Sequence, residues 1–356
     1  MNNKYSLGFI SRSNLPKEMR SPIWYQHLTS KHLNHDSVKE FIFEENFGLH
    51  TFEKSADDHL LKLGCKVVDR FTLLKSSDIV ISLKPTDEWQ YMRPGTVLIG
   101  WFNHLQLPPK HTTNVKFLDL EDIIIWCEGR PQKLLYKNAH ISGECGVLQT
   151  LETLQQSDPF SPAITEKKLA VVLGYGNLGI GATKELIRQG IEKIVVYTQR
   201  QPSSLINKLE GVEYRQMEYD YNNTYEVINE DLKLPLIDNL LPQADIIVNA
   251  TIPSSSQPKW TFVPDDKFSQ LKCNMAFIDP IHKPDHGANF TQTTELSQPL
   301  KLIKQSGHSI WYNGCNAMPN YRYSWASSII SEALLNNLDS IFGKISASKL
   351  PLLNRV

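Results

Sequence analysis

The chain has 356 residues, 41% hydrophobic and 21% charged, with 37 Lys+Arg against 38 Asp+Glu and a net charge of −1. This is a globular composition, long enough for roughly two domains at ~100–200 residues each. It has no basic surplus to recruit nucleic acid or an anionic membrane, although a small anionic ligand needs only one or two cations. No apolar run approaches the ~20 residues of a spanning helix, and residues 1–6 lead into no signal-peptide core. The cysteines, Cys65, Cys127, Cys145, Cys273 and Cys315, are odd in number, dispersed and without a Cys-x-x-Cys pair. A disulfide framework or a metal site is therefore not expected, and a reduced, cytoplasmic setting is.

In chain order, Ser6–Ile10, Asp78–Leu83 and Thr96–Trp101 read as short strands bounded by turn formers. Ser157–Pro162 reads as a linker or surface loop. Leu169–Leu173 is a buried-type strand, and a helical pattern then runs to Gln189, closed by Gly190. Ile194–Tyr197, Asp245–Asn249 and Met275–Asp279 are further strands. Strands alternating with helices predict an α/β fold with parallel, doubly wound sheet. Near the end, Trp325, Ile329, Ile330, Ala333, Leu334, Leu338 and Ile341 recur at the spacing of an amphipathic helix. That helix packs either on the first domain or on the middle one.

The clearest chemical signal is Gly174-x-Gly176-x-x-Gly179, spanning Asn177 and Leu178, between a strand and a helix. In a dinucleotide fold the first glycine makes the tight turn and the second lets backbone approach a pyrophosphate. The third lets the helix pack on the strand, and the helix N-terminus faces the phosphates. The alternative is a glycine-rich structural turn. An NAD-binding fold has Asp or Glu ~20 residues on, whereas this chain has Thr198-Gln199-Arg200 after Tyr197. A carboxylate would repel a 2′-phosphate and Arg200 can pair with one, which favours NADPH over NADH. If Arg200 is only a solvated loop residue, both cofactors are accepted.

Three first-domain segments stand out together: Pro16–Pro22, Ser82-Leu83-Lys84-Pro85, and Ile99–His104. With Arg93-Pro94-Gly95, Leu134–Asn138, Gly143, Gly146-Val147-Leu148, the glycine loop and Met318-Pro319, they carry a family resemblance. The chain resembles the alanine dehydrogenase, transhydrogenase and lysine-forming saccharopine dehydrogenase superfamily, and within it carboxyethylornithine synthases. The resemblance implies two Rossmann-like doubly wound domains with a cleft between them, the first completed by the C-terminal helix. The expected division is residues 1–140 plus 317–356 for substrate and 141–316 for NADP(H), in a homo-oligomer.

By that resemblance Arg20 and Lys84 hold a 2-oxo acid, and Lys84 alternatively handles protons. The superfamily's proton-handling His falls on Asn103 in an ungapped match, and on His104 with a one-residue shift. A neutral Asn binds substrate but is no general acid. The superfamily's catalytic Asp falls on Asp285 if two residues are inserted, and its substrate-facing Asn lies one residue from Asn316. His282 and His286 read as loop histidines. The reaction implied is reductive condensation of a pyruvate-like 2-oxo acid with an amino acid's amino group, giving an N-(carboxyalkyl) amino acid. The alternatives are reductive amination with ammonia and a non-catalytic NADP(H)-binding protein.

Overall fold

The computed structural model describes residues 4–103, 105, 107, 113–127, 129–157, 169–219, 223–252, 260–283, 286–305 and 307–347. His104, Asp285 and positions 158–162 of the expected linker lie outside them. The chain forms two compact units. One is built from residues up to Asn138 together with those from Arg322, the other from Ala139–Tyr321.

The first unit holds strands β1 (Tyr5–Phe9), β2 (Val38–Glu44), β3 (Lys66–Val68), β4 (Ile79–Ile81), β5 (Val97–Gly100) and β6 (Lys116–Asp119). They form one sheet in the order β3-β2-β1-β4-β5-β6, parallel at every pairing. Parallel strands covered on both faces read as continuous apolar runs, and alternate residues here feed two cores. Leu7, Phe9, Phe41, Phe43, Ile79, Ile81, Val97 and Ile99 lie in one. Ile42, Val80, Leu98 and Phe117 lie in the other, with Leu73 and Leu74 of the helix Arg70–Ser76. A hairpin of β7 (Ile124–Cys127) and β8 (Arg130–Lys133) follows.

The C-terminal stretch departs from expectation. It is two helices, Tyr323–Asn336 and Leu338–Ala347, rather than one. The break falls at Asn337, whose backbone leaves the helical region and whose side chain donates to the Ala333 carbonyl at 2.8 Å. Such competition with the backbone is what makes Asn a poor helix-interior residue. Trp325 is exposed, off the buried stripe. Ile330, Leu334, Leu338 and Ile341 join the core that holds Leu7 and Phe9.

The second unit holds β9 (Leu169–Leu173), β10 (Lys193–Thr198), β11 (Val212–Tyr219), β12 (Thr224–Val227), β13 (Lys233–Pro235), β14 (Ile246–Asn249), β15 (Thr261–Val263), β16 (Ala276–Ile278), β17 (Gly287–Ala288), β18 (Lys301–Gln305) and β19 (His308–Asn313). Nine of them form a sheet in the order β13-β12-β11-β10-β9-β14-β16-β19-β18. The span from β11 to β19 is parallel as expected, whereas β12, β13 and β18 add antiparallel edges. Its core again alternates, with Val171, Leu173, Val195 and Ile247 on one face and Ala170, Val172, Ile194 and Val248 on the other.

The helix Asn177–Arg188 ends one residue before the expected Gln189. Gly190, at φ 73°, makes the left-handed closing turn, with the Ile191 N–H donating to the Leu186 carbonyl at 3.1 Å. This helix touches the helix Tyr136–Ser157 backbone to backbone. A Cβ on Gly143 would come within 2.1 Å of the Leu178 carbonyl oxygen, and one on Gly181 within 1.9 Å of that of His140.

Candidate functional site

In open α/β sheets ligands bind beyond the carboxyl ends of the strands, at the point where strand order reverses. In the first unit that point is between β1 and β4. The chain leaving β1 reaches Glu18 and Arg20, both buried. Arg20 donates through Nε and Nη2 to the two Glu18 carboxylate oxygens, at 2.7 and 2.6 Å, and through Nη1 to Asn138 Oδ1 at 3.2 Å. A buried guanidinium needs such a partner, since its desolvation is otherwise prohibitive. Burial pushes the Glu18 carboxyl up, but the Arg20 charge and hydrogen bonds outweigh it and hold the group below its ordinary value.

Lys84 follows β4 and Trp101 follows β5. Gly100 permits their approach, because a Cβ there would meet the Ser82 carbonyl oxygen at 2.3 Å. The Trp101 ring lies 5.0 Å from the Arg20 guanidinium carbon and 5.7 Å from Lys84 Nζ. Cation–π attraction at such distances contributes ~0.5–2 kcal/mol, more when desolvated. Trp101 Nε1 donates to Glu121 at 3.0 Å, which fixes the ring. Lys84 Nζ donates to Asn103 Oδ1 at 2.9 Å, and Ser13 Oγ donates to the Lys84 carbonyl at 2.5 Å. Burial, followed by the Arg20 charge, lowers the Lys84 pKa against the pull of Glu18, Asp119 and Glu121. Arg20 and Lys84, far apart in sequence, thus meet on one indole, with Asn103 bonded to Lys84.

In the second unit the glycine loop has three different environments. Gly174 sits at φ 103°, a left-handed conformation that disfavours side chains, and a Cβ there would meet the Ala250 carbonyl oxygen at 2.8 Å. A Cβ on Gly176 would meet nothing within 4 Å, and one on Gly179 would meet the Gly174 carbonyl oxygen at 2.0 Å. Turn, open approach and tight helix packing are the three tasks assigned from sequence. Gly176 caps the helix without a side-chain hydrogen bond, which leaves the first-turn N–H groups of Asn177, Leu178 and Gly179 available to phosphate oxygens.

At the end of β10, Thr198 is buried while Gln199 and Arg200 are exposed. The Arg200 backbone N–H donates to Thr198 Oγ1 at 3.3 Å, and Nη2 to the Tyr175 carbonyl at 2.6 Å. The guanidinium is therefore held against the glycine loop. Tyr175 is itself clamped, donating to the Asn207 carbonyl at 2.8 Å and accepting from Tyr214 at 2.9 Å. These residues fit a dinucleotide: the loop leaves space where a pyrophosphate lies, and a cation stands where a ribose carboxylate partner would be.

Sequence reasoning missed a row of buried polar groups at the ends of β14, β16 and β19. Asp279 accepts from Asn249 Nδ2 at 3.3 Å and from the Tyr312 hydroxyl at 3.3 Å, with His282 Nδ1 3.6 Å away. Burial raises the Asp279 pKa against the contributions of these three neighbours. His286 Nε2 is 2.8 Å from Thr251 Oγ1, and the hydroxyl donates to Asn249 Oδ1 at 2.6 Å. Both histidines lie in loops, as expected, but are buried. Asn316 is exposed on the turn after β19. Trp101 and Glu18 were also missed, for neither residue type is diagnostic without its neighbours.

The fold thus defined is that of the alanine dehydrogenases, with two Rossmann-like domains. A solved L-alanine dehydrogenase superposes with a TM-score of 0.70 at 16% identity, covering 97% of this chain and 94% of that one. A transhydrogenase from Sinorhizobium meliloti gives 0.68 at 14%, covering 95% and 93%. No family model matches the chain. Among curated proteins it is similar to two N(5)-(carboxyethyl)ornithine synthases of Lactococcus lactis subsp. lactis. They are 33% and 31% identical over 194 residues, which span 49% of this chain and 57% and 56% of theirs. The matched stretch thus covers little more than half the length of those relatives. The resemblance read from the sequence is borne out, since relatives and fold neighbours come from the same superfamily.

Proposed function

We propose that the chain is an NADPH-dependent oxidoreductase that condenses a pyruvate-like 2-oxo acid with the amino group of an amino acid, giving an N-(carboxyalkyl) amino acid. The observation that carries this reading is the pairing of Arg20 and Lys84 on Trp101 at the strand ends of the first unit. Similarity to the N(5)-(carboxyethyl)ornithine synthases supports a product of the same N-(carboxyalkyl) amino acid class. The first unit is assigned to substrate and the second to NADP(H).

Arg20, already oriented by Glu18, grips the substrate carboxylate. Lys84 polarises the oxo group while the amine attacks, and its lowered pKa suits it to pass protons as water leaves to form the imine. Asn103, bonded to Lys84, orients the oxygen. The glycine loop holds the pyrophosphate, and Thr198, Gln199 and Arg200 hold the adenosine ribose with its 2′-phosphate. A bound NADPH supplies hydride to the imine carbon. His104 and Asp285 remain proton-handling candidates, and Asn316 a substrate-binding one.

The test is NADPH oxidation with pyruvate and a panel of amines. Turnover with an amino acid but not ammonia supports the proposal. Turnover with ammonia alone moves the assignment to reductive amination. Cofactor binding without turnover on any amine overturns both.

A further inference from the structure

We propose that His282 is a second proton-handling residue, a general acid–base set in the dinucleotide unit by buried Asp279 and Tyr312. This rests on the reading above. That chemistry moves protons at the amine and at the departing water, and among the described residues of the first unit's site Lys84 is set against both tasks, with Asn103 a neutral amide.

The carboxylate comes first. Asp279 directly follows β16, at the ligand-binding end of the parallel sheet, and is 2% exposed. Its two hydrogen-bond donors, the Asn249 amide and the Tyr312 hydroxyl, are neutral. A buried carboxylate without a cation is costly, and the ion-pair partner here is His282 at 3.6 Å.

The tautomer comes second. Tyr312 donates its hydroxyl hydrogen to Asp279 Oδ2, so its oxygen is an acceptor toward His282 Nδ1 at 3.1 Å. Nδ1 then carries a hydrogen, and Nε2 is the atom that gains and loses the exchangeable proton. Among the described residues the titratable groups in contact with the imidazole are Asp279, which follows β16, and Tyr312 from β19, with Lys283 next in the chain.

His286 provides the contrast. Its Nδ1 accepts from the Trp260 N–H at 3.4 Å and its Nε2 meets the Thr251 hydroxyl at 2.8 Å. Both nitrogens are occupied, so His286 is a strut between β14 and the segment before β17. Among the described residues His282 Nε2 has no hydrogen-bond partner, and an imidazole backed by a carboxylate on one nitrogen, with the other left for exchange, is the arrangement acid–base catalysis uses. The segment is also anchored. A Cβ on Gly146 would lie 3.0 Å from Pro280 Cγ, so the turn that starts at Asp279 rests directly on a helix backbone.

The experiment uses the full chain. His282→Gln should lower kcat for NADPH oxidation with pyruvate and the preferred amine by ~10²–10⁴-fold. It should also remove one ionisation from the pH–rate profile and leave the KM for NADPH unchanged. Tyr312→Phe should keep more activity than His282→Gln and shift that ionisation. Native kcat and an unaltered profile in His282→Gln overturn the proposal. A second readout needs no turnover. The His282 ring proton, assigned by its loss in His282→Gln, is titrated by NMR with NADP⁺ alone and with NADP⁺ plus pyruvate. Asp279→Asn and added pyruvate should each move the titration midpoint. A midpoint indifferent to both overturns the proposal even if the amine panel fails, in which case the reaction assignment fails separately.

Discussion

The two units carry opposite chemistry at the same place in the same kind of sheet. At its strand ends the first unit gathers long charged side chains, with Arg20 and Glu18 buried and Lys84 half-buried around Trp101. At its strand ends the second unit clears side chains away, and the glycine loop offers backbone N–H groups and open space. A carboxylate held by side-chain cations demands their desolvation, so each cation needs a built partner. A pyrophosphate held by backbone needs only a loop of the right shape. The first site should therefore be sensitive to charge and the second to volume.

The largest effect should come from the charges themselves. Lys84→Met and Arg20→Met should each reduce kcat/KM for the oxo acid by ~10²–10⁴-fold, with NADPH affinity by fluorescence titration unchanged. Near-native values for both would make them structural cations without a role toward substrate and dissolve the contrast.

Next is the partner that holds Arg20 in place. Glu18→Gln leaves a buried guanidinium without its anion, which costs about 3–5 kcal/mol, read as a fall in urea midpoint at pH 7. The sign with pH follows from the carboxyl being held below its ordinary 4.5. A depressed carboxylate stabilises fully above its unfolded value, and that stabilisation is lost as pH falls through the folded one. The gap between wild type and Glu18→Gln should thus be widest at neutral pH and close progressively below 4.5. A gap that stays constant across this window would remove the ion pair from the account.

For the second unit the volume test compares two glycines. Gly179→Ala places a Cβ against the Gly174 carbonyl oxygen, and overpacking of this kind costs ~1–3 kcal/mol. It should lower Tm. Gly176→Ala adds its methyl to open space, so Tm should hold while NADPH affinity falls. If both variants lose the same stability, Gly176 is merely another packing glycine.

The same contrast explains what was legible in the sequence. The glycine loop is local: strand, three glycines and helix occupy one short stretch, and each spacing has a backbone reason. The strands flanking it are apolar runs and were readable for the same reason. The charged site is assembled from segments near residues 20, 84 and 101, and no spacing rule connects them, so only the family resemblance brought Arg20 and Lys84 forward. Trp101, which organises both cations, gave no signal by itself. Strand β11 was missed because Glu213, Arg215, Gln216 and Glu218 interrupt its apolar pattern, and with it the antiparallel edge of β12 and β13. The structure turns some of that polarity inward, with Arg215 and Tyr197 both bonded to buried Glu226. The single C-terminal helix failed at Asn337, where one side-chain hydrogen bond outweighs an otherwise continuous pattern.

The smallest effect tests where the comparison should break, because one side chain does matter at the second site. Arg200 is exposed, and its Nη2 bond to the Tyr175 carbonyl keeps the guanidinium beside the glycine loop. A charge-assisted hydrogen bond contributes ~1.5–3 kcal/mol, which corresponds to about 10–150-fold in affinity. Arg200→Ala should therefore raise the KM for NADPH by about that factor and leave NADH nearly untouched, since NADH has no 2′-phosphate to lose. Binding of 2′,5′-ADP against 5′-ADP to the enzyme, measured by calorimetry, isolates the same contact from turnover. Preference for 2′,5′-ADP should vanish in the variant. Equal losses for both nucleotides would mean that Arg200 serves only to brace the loop through Tyr175, and that the missing carboxylate after β10 leaves the enzyme indifferent to the 2′-phosphate.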